Sequence, residues 1–413
     1  MPLFELLGIL LTTIALLGYL NHRFIGLPDT IGVMAVGMVA SLALVFTGGV
    51  VPELRAWALG LEQLVDLPTF VLNGLLGVLL FAAGLHFNFS DLSRQRVPVL
   101  VLATLGVLTS TLVVGMGTFW VLQLMGVHLP LVYCFLFGAL ISPTDPIAVL
   151  SVLKTVGAPK ELETTIAGES LFNDGTAVVA FMVLLGLASG TAEPSVRAVA
   201  TLLAQEVGGG ALVGLAVGLG AVYLLKGVNA YALEILITLA VATGGYSLAQ
   251  HLHVSAPLAA VIMGLVVGNH GASSSMSEQT REHLFSFWEL LDEVLNLVLF
   301  GLIGLKLLSL ETSHSHALWL AGVSLIPVVL FARFVSVGLP FLALRSAMPK
   351  SPHTVKLLTW GGLRGGISVA LALSLPAFDG KDLLVVGTYV VVVFSLLVQA
   401  PSLGRLVTRL SRP

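Results

Sequence analysis

Apolar runs of roughly 20 residues, enough to cross a bilayer as helix, recur along the whole chain and are separated by short polar or Pro/Gly-rich stretches. They predict spans at about 3–21, 29–47, 66–87, 98–123, 130–153, 161–189, 207–226, 230–250, 255–269, 284–309, 316–344, 354–376 and 383–408, thirteen in all. The more polar stretches 49–65, 191–206 and 271–283 read as connectors, with helices lying in the membrane interface as one form they could take. Residues 3–20 lack the basic n-region and the A-x-A cleavage site of a signal peptide, so they count as the first span. No soluble domain, low-complexity tract or long tail breaks the pattern, and 1–413 reads as a single all-α polytopic membrane domain.

Two spans are broken by their own sequence. In 130–153, Pro143 and Pro146 each lack an N–H, and each pushes the residue before it, Ser142 and Asp145, out of the helical region. A helix entering at Leu131 is expected to unwind over Ser142–Pro146 and to resume at Ile147. In 354–376, Gly361, Gly362, Gly365 and Gly366 surround Arg364, each weakening a helix by about 1 kcal/mol relative to alanine. Close helix packing at small residues is the plainer account of those glycines. If span 7 is a linker, however, each broken span is the fifth of a six-span half, and the two run in opposite directions. Two inverted six-helix repeats, with their broken helices crossing near the membrane middle, point to the site of a secondary transporter. The pairing rests on topology, because the halves share no convincing residue-level similarity.

Composition agrees with a membrane setting. The chain is 57% hydrophobic and 10% charged with a mean hydropathy of +1.02, whereas soluble domains carry about 25% charged residues. The 19 basic and 22 acidic residues give no polyelectrolyte signature, so nucleic acid is not an expected partner. The lone Cys134 lies in an apolar run and reads as a small core residue. With thirteen spans, alternate loops share a side of the membrane. One set holds thirteen basic residues, among them Arg94, Arg96, Lys154, Lys160 and Arg345, and the other holds Arg55, Arg197 and Lys381. This positive-inside bias puts the N-terminus outside and the C-terminus in the cytoplasm.

Ionisable residues inside a span are costly and mark function by default. Asp145 sits between the two prolines, where a carboxylate stabilises little unless it binds something. The freed carbonyls, the Thr144 hydroxyl and Asp145 form an all-oxygen environment suited to a hard cation. Span 6 has no proline and is expected to cross as one helix. On it Glu169 and Asn173, and likewise Ser170 and Asp174, are i, i+4 neighbours on adjoining strips. Asp174 has no basic neighbour in sequence and can hold a proton or a cation, though not both comfortably. Glu169 reads instead as half of a buried ion pair, with Arg333 as the first partner and Arg364 as the second candidate. Lys306 is expected to snorkel to the interface, Asn73 and His86 to satisfy helix contacts, and the remaining loop histidines to be solvated. No His/Cys/Glu cluster has transition-metal spacing and no Walker motif is present, so no cofactor and no ATP drive are expected.

At these residues the chain resembles the NhaP/NHE-type sodium/proton exchangers of the cation/proton antiporter superfamily. The motifs are FAAGL at 81–85, SPTDPIAVL at 142–150, GESLFNDGTAVV at 168–179 and GGLRGGISVALAL at 361–373. They match in order and spacing, and the resemblance covers essentially the whole chain. It implies a homodimer in a cell inner membrane, with a mobile core of about 98–189 and 316–408 and a dimerisation scaffold of about 3–87 and 207–309. It implies that Asp174 carries the ion and the proton, that Asp145, Thr144 and Ser170 complete the Na⁺ site, and that Glu169 pairs with an arginine on a later span, which fits Arg333. Arg364 lies at the second break. Electrogenic relatives carry two adjacent aspartates where this chain has Asn173–Asp174, which places it with the electroneutral branch. The long regulatory tail of the animal exchangers is absent, so a prokaryotic transporter is expected. The expected activity is exchange of Na⁺, with Li⁺ as a second candidate, for protons in pH and sodium homeostasis. A K⁺/H⁺ antiporter is the alternative within the superfamily. A cation channel lacks a repeated filter sequence here, an intramembrane aspartyl protease lacks GxGD, and a carrier of organic anions would favour basic rather than acidic contacts.

Overall fold

The computed structural model describes residues 3–47, 60, 66–146, 149–150, 153, 160–190, 196–228, 230–271, 278–313, 316–344 and 353–410. Among them there is helix and turn but no strand. A membrane demands this, because a span must satisfy its own backbone polar groups. We number the helices α1 (Leu3–Leu20), α2 (Asp29–Thr47), α3 (Leu67–His86), α4 (Phe89–Arg94), α5 (Arg96–Leu124), α6 (Leu131–Ile141), α7 (Lys160–Ala188) and α8 (Val196–Leu225). They continue as α9 (Tyr231–His251), α10 (Ala256–His270), α11 (Glu278–Ser313), α12 (His316–Ala343), α13 (Thr354–Trp360), α14 (Gly366–Leu373) and α15 (Lys381–Arg409). Among the described residues, eight helices are long and apolar enough to cross a membrane. Their outward faces are greasy: Leu124, Tyr223 and Leu342 are 87%, 78% and 77% exposed, as lipid contact allows and water does not.

Two of the expected connectors are helical where they are described. The stretch 191–206 is, from Val196 onward, the first part of α8, and 271–283 is, from Glu278 onward, the first turns of α11. Both stretches are rich in good helix formers such as Ala, Gln, Glu and Arg, so the helix continues where the hydrophobicity ends. The third connector, 49–65, lies outside the described residues apart from Gly60.

The helices pack around two apolar groups. The larger joins α1, α2, the first half of α3, α5, α6, α7 and α12–α15 to the second half of α11, through residues such as Phe137, Phe300 and Leu358. The smaller joins α3, α8, α9 and α10 to the first half of α11, around Phe81, Met263 and Trp288. Small residues set the closest crossings, as expected between membrane helices. A Cβ on Gly264 of α10 would meet the Phe81 carbonyl oxygen at 2.2 Å, so α3 and α10 touch backbone to backbone. Polar side chains tie the remainder together. Trp288 Nε1 donates to Thr238 Oγ1 at 3.0 Å, Gln250 Nε2 donates to Asn73 Oδ1 at 2.9 Å, and Tyr389 donates to the Ile303 carbonyl at 3.2 Å. Asn73 and His86 thus both make helix contacts, the latter holding Nδ1 2.8 Å from the Ala82 carbonyl oxygen.

Candidate functional site

The helix that enters at Leu131 stops at Ile141, and Ser142–Pro146 is non-helical. Ile147, where it was expected to resume, lies outside the described residues, but a helical hydrogen bond from Leu150 N to the Pro146 carbonyl (2.7 Å) and helix at Val149–Leu150 follow the break. The second broken span stops at Trp360 and restarts at Gly366, leaving Gly362–Gly365 non-helical. Each break is needed by the other. The Asp145 amide donates to the Leu363 carbonyl at 2.8 Å, joining the two unwound segments main chain to main chain. Arg364 reaches back and donates through Nη1 to the Ser142 and Pro143 carbonyls, at 2.5 and 3.1 Å. Those carbonyls belong to the end of α6, where unpaired acceptors and the negative end of the helix dipole collect. A buried guanidinium is a fitting cap for them. Its Nε and Nη2 have no protein acceptor among the described residues.

The glycines around Arg364 now have specific causes. A Cβ on Gly362 would overlap the Arg333 side chain, one on Gly365 the Asp145 carboxylate, and one on Gly366 the side chain of Leu299. Close packing is therefore the right description, and two of the groups it admits, Arg333 and Asp145, are charged residues of the site. A further polar layer lies under the first break, where Ser142 Oγ donates to the Gly138 carbonyl at 2.6 Å and sits 2.9 Å from Ser110 Oγ on α5.

Helix α7 runs unbroken past both segments and presents Glu169, Ser170, Asn173 and Asp174, all at most 6% exposed. Asn173 Nδ2 donates to Thr144 Oγ1 at 2.6 Å, the Thr144 amide points at Asn173 Oδ1 at 3.4 Å, and the Thr144 and Ser170 hydroxyls lie 2.9 Å apart. These bonds fix the unwound Thr144–Asp145 segment against α7. Glu169 is gripped instead by both terminal nitrogens of Arg333, which also donates through Nε to the Leu358 carbonyl at 3.2 Å. Bidentate geometry and burial on both sides make this the strong form of ion pair. Of the two arginines weighed from sequence, Arg333 holds Glu169, while Arg364 serves the carbonyls.

Asp174, one turn beyond Ser170 on α7, is buried beside this framework. It is 6% exposed, and its charged neighbour is Asp145, half-buried at the break. Two carboxylates, two hydroxyls and unwound backbone form a hard-oxygen donor set that suits a small monovalent cation or a proton. Sequence reasoning missed the capping role of Arg364 and the polar floor from Ser110. For Ser110 the signal was the hydroxyl run Thr109–Ser110–Thr111 inside a largely apolar span. It also passed over Asp292 and Asn296 on α11.

A family model described as "Sodium/hydrogen exchanger, transmembrane" matches residues 10–409. The chain is 46% identical over 411 residues to the Na(+)/H(+) antiporter NhaP of Pseudomonas aeruginosa, covering 98% of this chain and 96% of that one. It is 34% identical over 396 residues to the Na(+)/H(+) antiporter NhaH of Halobacillus dabanensis, covering 93% and 92%. Its fold is similar to that of the sodium proton antiporter MjNhaP1 from Methanocaldococcus jannaschii, with a TM-score of 0.75, 22% identity and full coverage of both chains.

Proposed function

The chain belongs to the transmembrane sodium/hydrogen exchanger family, and from that premise we propose that it exchanges one monovalent cation, Na⁺ or Li⁺, for one proton by electroneutral alternating access. The observation that carries the reading is the contrast on α7: Glu169 is neutralised by Arg333, whereas the charged group acting on Asp174 among the described residues is a second carboxylate, Asp145 at the first break. A carboxylate in that position needs a counter-charge, and either a proton or a cation supplies it. Asp174 is the carrier. Asp145, Thr144 and Ser170 complete the cation's oxygen shell, Asn173 fixes Thr144, and Glu169–Arg333 and Arg364 hold the framework.

In this reading thirteen spans form two inverted six-helix repeats, with the N-terminus outside and the C-terminus in the cytoplasm of an inner membrane. A core of about 98–189 and 316–408 moves against a scaffold of about 3–87 and 207–309, through which two copies pair. Because the breaks are bonded to each other and to α7, the carrier and its ligands move as one body. Asn173 next to Asp174 supports electroneutrality, since only one of the two positions can carry charge. Such exchange serves sodium and pH homeostasis. The test is purified protein in liposomes with an internal pH dye, challenged with Na⁺, Li⁺ and K⁺ in turn. Na⁺- or Li⁺-driven proton flux supports the reading, flux with K⁺ alone moves the substrate to potassium, and no flux with any of the three rejects exchange.

A further inference from the structure

Helix α11 carries polar groups that the site above does not use. Phe285, Glu289, Asp292, Asn296 and Leu299 follow one another at steps of four, three, four and three residues, which sets them on a single stripe of the helix. Both ends of the stripe are pinned. At one end His86, the last residue of α3, holds Nε2 3.3 Å from the Phe285 carbonyl oxygen and its ring 5.4 Å from the Phe285 ring. At the other, Leu299 packs on Gly366, the residue that restarts the second broken helix, so closely that a Cβ there would lie 2.7 Å from it.

The anchors are fourteen residue steps apart, a rise of about 21 Å, and Asp292 lies halfway. It is half-buried and within electrostatic reach of His86 on α3 and of Asp145 at the first break; Glu293, its neighbour on α11, is exposed, as is Glu289. Asn296, one turn nearer the breaks, is 1% exposed. Its Nδ2 donates to the Asp292 carbonyl at 2.8 Å, while its Oδ1 has no partner among the described residues. A buried amide oxygen without a donor is unfavourable, and beside a carboxylate it is a ready acceptor for a cation's hydration water. A row of acidic residues alone would be an ordinary solvated face. The buried, unpartnered amide and the pinned direction of the stripe make it a path.

We propose that Asp292 and Asn296 form an approach subsite for a hydrated monovalent cation, between the His86 end of the molecule and the Asp145–Asp174 site. This rests on the exchange reading above. Asp292 acts as a positioning residue, raising the cation's local concentration while Asp174 carries it. A unit charge beside the path, in a medium of intermediate dielectric, changes local cation occupancy on the order of ten-fold. Its loss therefore acts on apparent affinity and leaves the turnover step alone.

The experiment measures Na⁺-driven proton flux in proteoliposomes over a range of Na⁺ for the wild type, Asp292→Asn, Asp292→Glu and Asn296→Asp. Asp292→Asn is expected to raise the KM for Na⁺ about ten-fold with maximal rate nearly unchanged, and Asp292→Glu to return it to the wild-type value. Asn296→Asp, which adds a charge to the same stripe, is expected to lower the KM. An unchanged KM in a folded Asp292→Asn protein overturns the subsite, and so does a loss of maximal rate that glutamate does not rescue, since that marks a structural role. If Asp292→Asn does not fold, Asn296→Asp decides, and an unchanged or raised KM overturns the proposal. A wild type without cation-driven flux rejects the exchange reading itself, whereas wild-type exchange with an invariant KM across the variants rejects only the subsite.

Discussion

Glu169 and Asp174 stand little more than one turn apart on α7 and are both buried, yet their surroundings assign them different work. Glu169 has Arg333 on two oxygens; Asp174 has a second carboxylate for a charged neighbour. Asp174→Asn should therefore abolish cation–proton exchange while the protein stays folded, as monodispersity and thermal unfolding in detergent would report. Robust flux in that variant would move the carrier role, with Asp145 next in line. Glu169→Ala or Arg333→Ala should instead lower stability, by about 3–5 kcal/mol, because each leaves a lone charge buried. Replacing both with neutral residues should recover part of the loss, and strictly additive losses in a double-mutant cycle would contradict the pairing. At this scale the sequence was legible where chemistry is local. Proline flanks mark Asp145, and an apolar setting marks Asp174. Arg333 and Arg364 could be ranked but not assigned, because which carbonyl or carboxylate a guanidinium reaches depends on segments 164 and 222 residues away.

The two broken helices are the element on which the site depends. Pro143 and Pro146 signal the first break by removing donors, and that signal is readable in the sequence alone. The glycines of 361–366 were readable as weak helix, but not their purpose. Only the folded chain places Arg333 against Gly362 and Asp145 against Gly365. Gly365→Ala should accordingly displace the Asp145 side chain and cut exchange by an order of magnitude or more. Gly338→Ala on α12 meets nothing within 4 Å and should leave exchange unchanged. Transport assays on the pair check this, and equal activity would show that the crossover tolerates the displacement. Helix ends were the least legible feature. Val196–Glu206 and Glu278–His283 look like connectors because their hydrophobicity falls, yet helix propensity carries α8 and α11 through them.

Across the whole molecule, long apolar helices with greasy outer faces surround a small polar interior. That contrast was visible in composition and in the rhythm of apolar runs, because a bilayer imposes length and satisfaction on every span. How the helices pack was not visible, since small-residue contacts such as Gly264 on Phe81 carry little one-dimensional signal. On the proposed mechanism, one interior carboxylate alternately holds a proton or a cation, and the two ligands compete for the same oxygens. Protonation removes the charge that binds the cation, so no separate pH sensor is needed. With Asn173 neutral, one charge moves each way per cycle. The most direct measurement is initial exchange rate in proteoliposomes against cation concentration at several pH values, with and without a potassium–valinomycin potential. The account predicts that the apparent KM for the cation rises as pH falls, that maximal rate changes much less, and that the imposed potential neither drives nor retards exchange. A KM independent of pH across the active range, or a strongly voltage-dependent rate, would contradict it.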